Sequence, residues 1–337
     1  MNKTVKILAI MLAAQLLLAA GIGLSDRGVS SGNESVALVS FDAEKIDRII
    51  LEGPENAKVT LAKRDGNWVL PDSADFPVNS DKVKQLFERL EALRSGTPVA
   101  TSSGARERFK VSDEAFERRI SLSSGDETLA RLYLGSSPGM RLIHARNEAD
   151  DAIQAVKMAA YDVPIKHSDW EDKSVLTLSK STIAAIEVNG LRIERSVSET
   201  GQDNTTDESS PQPAWQAAGL EEGKTLNTEA VDNLAGLLAD LRFDRVLGRE
   251  ANEEYGLDNP VLAVTLAQKA GETLTYQLGK TNDEEEHTLK VSNRSEYFQL
   301  ASYKAKPLIE AASLEKLTKT IADVGAKTMD TEQSTKP

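Results

Sequence analysis

Ser80-Asp81-Lys82-Val83-Lys84-Gln85-Leu86-Phe87-Glu88-Arg89-Leu90-Glu91-Ala92-Leu93 returns later in the chain as Thr228-Glu229-Ala230-Val231-Asp232-Asn233-Leu234-Ala235-Gly236-Leu237-Leu238-Ala239-Asp240-Leu241. Val83, Leu86, Leu90 and Leu93 fall on Val231, Leu234, Leu238 and Leu241, each 148 residues on. Steps of three and four residues put these side chains on one face of a helix, so each stretch predicts an amphipathic helix with one buried side. Outward from the helices, Trp68 falls on Trp215, 147 residues on, and Leu134-Gly135 on Leu278-Gly279, 144 residues on. A period this long indicates a duplicated domain. Solenoid repeats run roughly 20 to 50 residues.

Each half carries the same order of short strands around its helix. In the first, Ile46 to Leu51 opens, and Val59 and Leu61 alternate with polar neighbours. Asp65-Gly66 supplies a turn before Trp68-Val69-Leu70. After the helix, Ile120 and Leu122 lead through Ser124-Gly125 to Leu132 and Leu134, with further strands at 141–145 and 152–156. In the second half, Ile183 to Val188 and Leu191 to Val197 precede Trp215. Val264 and Leu266 then pair across Ala270-Gly271 with Leu274, Tyr276 and Leu278, before Leu289, Val291 and Tyr297 to Leu300. The pattern predicts an α+β fold: a tandem duplication of a module with antiparallel β-hairpins and one main helix, after an N-terminal transmembrane segment. The expected boundaries are a signal anchor or signal peptide over 1–27 and a spacer over 28–40. A first module at 41–178 and a second at 179–322 follow, with a disordered tail at 323–337. Ser198 to Pro213, rich in Ser, Thr, Asp, Glu and Pro, reads as an acidic, mobile loop inserted in the second module.

Lys3 and Lys6 precede an apolar run from Ile7 to Leu24, broken by Gln15. As a helix it would span roughly 27 Å at about 1.5 Å per residue, near the roughly 30 Å hydrocarbon core. Its length favours an uncleaved anchor, while Ala19-Ala20-Gly21 and Gly21-Ile22-Gly23 offer small residues to a signal peptidase. Both readings export the rest of the chain and keep the lysines cytoplasmic. The expected location is a bacterial inner membrane, with residues 7–24 in the membrane and the bulk of the chain in the periplasm. The alternative is a periplasmic protein released by cleavage.

The 337 residues contain no cysteine, which removes disulfides, thiolate nucleophiles and cysteine metal ligands. A formal net charge of −13 argues against nucleic acid or anionic lipid as the main partner, since both attract basic surfaces. His144, His167 and His287 lack the spacing of a metal site, and Asp283-Glu284-Glu285-Glu286-His287 lacks the interleaving of a calcium loop. No Gly-x-Ser-x-Gly elbow occurs. No cofactor, metal or catalytic residue is assigned. The best candidate for a functional loop is Tyr255-Gly256-Leu257-Asp258-Asn259-Pro260. There Gly256 permits positive φ, Asp258 or Asn259 closes a turn, and Pro260 blocks a helix. The same residues have a purely architectural reading, in which Tyr255 and Leu257 pack beneath the turn.

Trp215, the helix after it, Tyr255 to Pro260 before a strand, Leu278-Gly279 and Tyr297-Phe298-Gln299-Leu300 form an ordered set. That set resembles the bacterial family called domain of unknown function 4340. The first half carries a worn version, with Phe109-Lys110-Val111-Ser112-Asp113 where Tyr-Gly-Leu-Asp-x-Pro stands in the family, and Asp169-Trp170-Glu171-Asp172-Lys173 resembles the family's junction. The resemblance covers most of residues 46–320. It implies a membrane-anchored extracytoplasmic protein encoded with ABC-type transport systems related to gliding-motility auxiliary proteins, and it carries over no catalytic residue.

The expectation is therefore a non-enzymatic accessory or interaction protein whose partner is an inner-membrane ABC-type permease or companion subunit. The Tyr255–Pro260 loop or free strand edges would make the contact. The alternatives are a soluble periplasmic solute-binding protein, with ligand held between the modules, and a cell-envelope hydrolase.

Overall fold

The computed structural model describes residues 36–196, 214–281 and 285–320. The apolar run at 7–24, the acidic loop at 198–213 and the tail at 323–337 lie outside them. Among the described residues, no helix is long and apolar enough to cross a membrane.

The first half of the chain forms β1 (Arg48–Glu52), β2 (Lys58–Arg64), β3 (Asn67–Leu70), β4 (Phe76–Pro77), helices α1 (Ser80–Glu91) and α2 (Ser103–Arg108), β5 (Arg118–Ser124), β6 (Glu127–Leu134), β7 (Ile143–Asn147) and β8 (Gln154–Val156). The second half opens on a short helix, α3 (His167–Trp170), then β9 (Ile183–Val188), β10 (Leu191–Arg195), β11 (Trp215–Ala217) and β12 (Lys224–Leu226). Next come α4 (Thr228–Ala239), β13 (Arg245–Gly248), β14 (Leu262–Gln268), β15 (Thr273–Lys280), β16 (Glu286–Val291) and β17 (Tyr297–Ala301). The chain closes with α5 (Ser302–Ala311), α6 (Leu314–Leu317) and β18 (Thr318–Thr320). The structure is α+β, and its sheets are built from antiparallel strand pairs.

Two compact units result. Residues 1–62 and 81–165 group as the first, and 63–80 and 166–337 as the second.

In the first unit the strands lie in the order β2-β1-β5-β6-β7-β8. Leu51 stands opposite Val59 on one side and Ile120 on the other, so apolar residues at alternate positions share a face. Ile49, Leu51, Val59, Leu61, Ile120 and Leu122 are all buried. Helix α1 buries Val83, Leu86, Phe87 and Leu90. Asp81 in its first turn and Arg89 in its last complement the helix dipole.

The second unit repeats that order as β10-β9-β14-β15-β16-β17, with β11 beyond β10 and β13 beyond β17. Leu262, Val264 and Leu266 face Leu278, Tyr276 and Leu274 across the β14–β15 ladder. These side chains and Val231, Leu234 and Leu238 of α4 belong to one core cluster. Asn227 caps α4: its Oδ1 accepts from the Ala230 amide at 3.4 Å, while its Nδ2 donates to the Lys316 carbonyl at 3.0 Å. The β3–β4 segment adds Phe76 to the same core, edge-on to Phe243 at 5.7 Å. Each fully buried aromatic or leucine contributes about 1.5–3 kcal/mol of apolar burial. Trp68 and Trp215 are buried, as core residues are.

The helix at Ser80 forms as the spacing predicts. The opening strand of the first half begins at Arg48 and not at Ile46, which is fully buried ahead of it. The strands expected at 141–145 and 152–156 run from Ile143 and from Gln154. Arg141 has φ +57 and belongs to the preceding turn, while Asp150 Oδ1 accepts from the Ala152 amide at 3.1 Å in a local turn.

Candidate functional site

The candidate loop follows β13, the last strand of the second sheet. Asn252 Oδ1 accepts from the Glu254 amide at 3.0 Å and starts a single 3-10 turn over Glu253–Tyr255. Gly256 ends the turn at φ +63, and its amide donates to the Glu253 carbonyl at 3.2 Å. A side chain is excluded there twice over. A Cβ would face positive φ and would also stand 2.2 Å from the Lys280 carbonyl oxygen. The opposing surface is Gly279 of β15, where a Cβ would lie 2.0 Å from the Tyr255 carbonyl oxygen. Loop backbone therefore lies directly on strand backbone, and two glycines make that approach achievable. Tyr255, Gly256, Leu257 and Pro260 are half-buried, whereas Asp258 and Asn259 are exposed. The Tyr255 ring stands 5.1 Å from that of Tyr297. Of the six residues singled out by sequence, four are thus half-buried, Tyr255 and Gly256 among them held by close contacts, and two face solvent.

The first unit holds the same arrangement. Phe109 ends α2, and Lys110 takes φ +56, the position of Gly256. A Cβ on Gly135 would lie 2.0 Å from the Phe109 carbonyl oxygen. Lys110 in a left-handed conformation costs roughly 1 kcal/mol that glycine avoids, which is the physical content of the worn motif. The neighbouring strand differs. Gly135 donates to His144 of β7 at 2.8 Å, and the buried His144 ring stands 4.3 Å from Phe109. His144 Nδ1 lies 3.0 Å from Ser136 Oγ and 2.8 Å from the Ser136 carbonyl oxygen. Gly279 instead stands opposite Thr288 of β16, which is 0% exposed and whose Oγ1 has no hydrogen-bond partner. Nothing in the sequence marked Thr288. Only the strand register brings it to the loop.

Two cavities flank the loop. The larger, about 940 Å³, runs from Asp72 and Ala74 along Leu247 to Arg249, Glu253 and Glu296. The smaller, about 340 Å³, is lined by Arg245, Glu254, Tyr255, Glu286, Thr288 and Gln299, among others. The register explains the second lining. Gly279, Thr288, Gln299 and Arg245 stand in one row across β15, β16, β17 and β13. Arg245 Nε donates to Gln299 Oε1.

Electrostatically the region is acidic but ordered. Glu296, 4% exposed, accepts from Arg249 Nε at 3.2 Å and Nη2 at 2.9 Å. Burial pushes its carboxyl up, yet the Arg249 hydrogen bonds, a backbone amide and the Arg294 and Arg249 charges hold it below the usual range. His287 is pushed down by burial and by Lys280 and Lys306, so neutral imidazole is favoured. Glu171, 3% exposed, accepts from the Val246 amide at 3.2 Å with each carboxylate oxygen and pairs with Lys173. Lys173 Nζ in turn donates to the Asp244 carbonyl. The free side of β13 is thereby occupied by side chains at the Val246 amide and at the Asp244 carbonyl just ahead of the strand.

Among the described residues, no group of three or more His, Cys, Asp or Glu side chains could hold a metal ion. Asp283 and Glu284 of the acidic run lie outside those residues. Among the described residues, serine–histidine contacts join Ser136 with His144 and Ser302 with His287, the latter at 3.4 Å. Neither serine lines either cavity beside the loop. Burial, and after it Lys280 and Lys306, disfavour the protonated form of His287.

No curated protein and no solved structure matches the chain. Residues 68–260 match a family model described as domain of unknown function (DUF4340). The matched span opens on Trp68, closes on Pro260 at the end of the candidate loop, and takes in more than half of the sequence. By that match the chain belongs to the DUF4340 family.

Proposed function

We propose that this protein is a membrane-anchored, extracytoplasmic accessory protein that works by docking a partner, a permease or companion subunit of an ABC-type transport or gliding-type complex. On this reading the two units arose by tandem duplication, residues 7–24 hold the chain at the membrane, and the chain carries out no catalysis. The observation that carries the docking part is the loop at Tyr255–Pro260. Backbone-on-backbone packing at Gly256 and Gly279 fixes it, while Asp258 and Asn259 are left exposed. A loop held this firmly loses little conformational freedom when a partner binds, which favours its use as a contact surface. Support for the duplication comes from the common six-strand order and from the matching pairs Lys110/Gly256 and Gly135/Gly279. Contact through the loop is preferred to strand addition at β13, because Glu171 and Lys173 occupy that edge.

The test is a crosslinking pull-down from native membranes, comparing the full chain with one lacking residues 1–24. Transporter subunits captured by the anchored form and lost with the shortened one are the expected result. Repeated recovery of the protein alone under mild detergent sinks the reading. A second reading, a solute-binding protein, is favoured by the cavity of about 940 Å³. Native mass spectrometry of the shortened chain, showing a retained small molecule, would put it first.

A further inference from the structure

We infer that Lys290 positions the candidate docking loop, by holding the Tyr297 ring against which Tyr255 rests. The inference rests on the docking reading for its purpose and names the residues that set the surface a partner meets. Three observations carry it.

The first is the turn itself. Glu253–Tyr255 is a single 3-10 turn, with Asn252 at its start and Gly256 at its end. The Tyr255 amide donates to the Asn252 carbonyl at 3.0 Å, and the Gly256 amide to the Glu253 carbonyl at 3.2 Å. A turn this short depends on contacts from outside to keep its shape. Of its three residues Glu253 and Glu254 are exposed and Tyr255 is half-buried. The Tyr255 ring stands 5.1 Å from that of Tyr297, the two planes 40° apart, within the range of favourable aromatic pairs.

The second is the lysine behind that pair. Lys290 lies directly opposite Tyr297 across the β16–β17 ladder, with Nζ 4.6 Å from the ring centroid. The ammonium also donates to the carbonyls of Arg294 at 2.6 Å, Ser295 at 2.9 Å and Glu296 at 3.4 Å. Those bonds fix the head of a long side chain that would otherwise rotate freely. Burial holds the Lys290 ammonium below the usual lysine range, with Glu296 acting against it. A cation stripped of part of its water attracts the face of a ring more strongly than a solvated one.

The third is the first unit. There the ladder sets Arg146 opposite Tyr133, as it sets Lys290 opposite Gln277. Arg146 and Lys290 therefore hold the same place, two residues beyond His144 and Thr288. Arg146 is buried and donates from Nε to the Val111 carbonyl, in the loop after α2, at 2.7 Å. Each unit thus braces its loop with a cation from the same strand position. The first does so directly and the second through two tyrosine rings.

The test is hydrogen–deuterium exchange of the full chain in detergent, read by mass spectrometry on peptides covering 252–258. Lys290→Met and Tyr297→Leu should each speed exchange there by up to about tenfold, the scale of one aromatic contact. Tyr297→Phe keeps the ring and should exchange as the wild type does. Peptides from β14 and β15 should keep their protection in every variant, which separates a local loosening from a general loss of stability. Wild-type exchange over 252–258 in Lys290→Met overturns the inference, because the lysine then merely closes the β16–β17 turn. Equal acceleration in β14, or a Tyr297→Phe variant as loose as Tyr297→Leu, overturns it too. If Lys290→Met loosens the loop and still captures transporter subunits as the wild type does, positioning stands and docking through the loop falls. If the loop is unchanged in Lys290→Met and the wild type captures a partner, positioning falls and docking stands.

Discussion

At the scale of single residues, the glycines separate into those that permit a fold and those that merely occupy it. Gly279 and Gly135 sit where a Cβ would come within 2.0 Å of a carbonyl oxygen, and Gly256 adds positive φ to a 2.2 Å approach. Replacing Gly279 or Gly256 by alanine is expected to destabilise the protein by about 3 kcal/mol or more, because backbone must move on both sides of the contact. Gly236 is the control. It lies inside α4, and its nearest neighbour is a lysine tip 4.0 Å from the Cβ position. There Gly→Ala should stabilise by about 0.5–1 kcal/mol through helix propensity. Urea midpoints of the variants check both signs, and destabilisation by Gly236→Ala would contradict the distinction. Sequence exposed the glycines as a repeated pair but not their reason. Which carbonyl lies over a strand is a tertiary fact with no local signature.

At the scale of elements, periodicity carried most of the reading. Helix α1 begins at Ser80 as its apolar spacing predicts, and β9 spans Ile183–Val188, the stretch expected to open the second half. The junction Asp169 to Lys173 stood out in the sequence only as a family feature. In the structure it supplies the cap on β13, through a buried carboxylate that takes the Val246 amide and a lysine that takes the Asp244 carbonyl. Glu171→Ala is expected to cost about 2–4 kcal/mol, since it leaves the Val246 amide without its acceptor and removes the buried carboxylate beside Lys173. Glu171→Gln should cost less, because it keeps an acceptor. The alanine variant should also self-associate more readily, as an uncapped edge pairs with its like. Chemical denaturation and size-exclusion profiles measure the two effects. A monomeric, fully stable Glu171→Ala would show that the edge needs no guard. Thr288 and its cavity escaped the sequence for a related reason. A threonine in a strand is unremarkable until register sets it opposite Gly279 and beside Gln299.

At the scale of the whole molecule, acidity sets the conditions under which both units hold. Glu52 in the first unit is held below the usual carboxylate range by its hydrogen bonds to Arg119, at 2.6 and 2.7 Å, and Glu296 in the second by Arg249 and Arg294 against the effect of burial. A carboxylate whose folded value is depressed contributes stability above its unfolded value, near 4.5, and loses that contribution as pH falls through the folded value. Urea midpoints should therefore stay level from neutrality to about pH 5 and drop below that. The drop should be shallower in Glu52→Gln and Glu296→Gln. An unchanged slope in both variants would assign acid sensitivity to other groups. The second unit also has an unusual provenance. Residues 63–80 belong to it although 81–165 do not, and the segment brings Phe76, fully buried against Phe243 and Phe298. Its sequence is thus discontinuous. A fragment starting at Lys166 would encode a domain with a phenyl-sized hole at its centre, and no single scissor cut in the gene separates the two units intact.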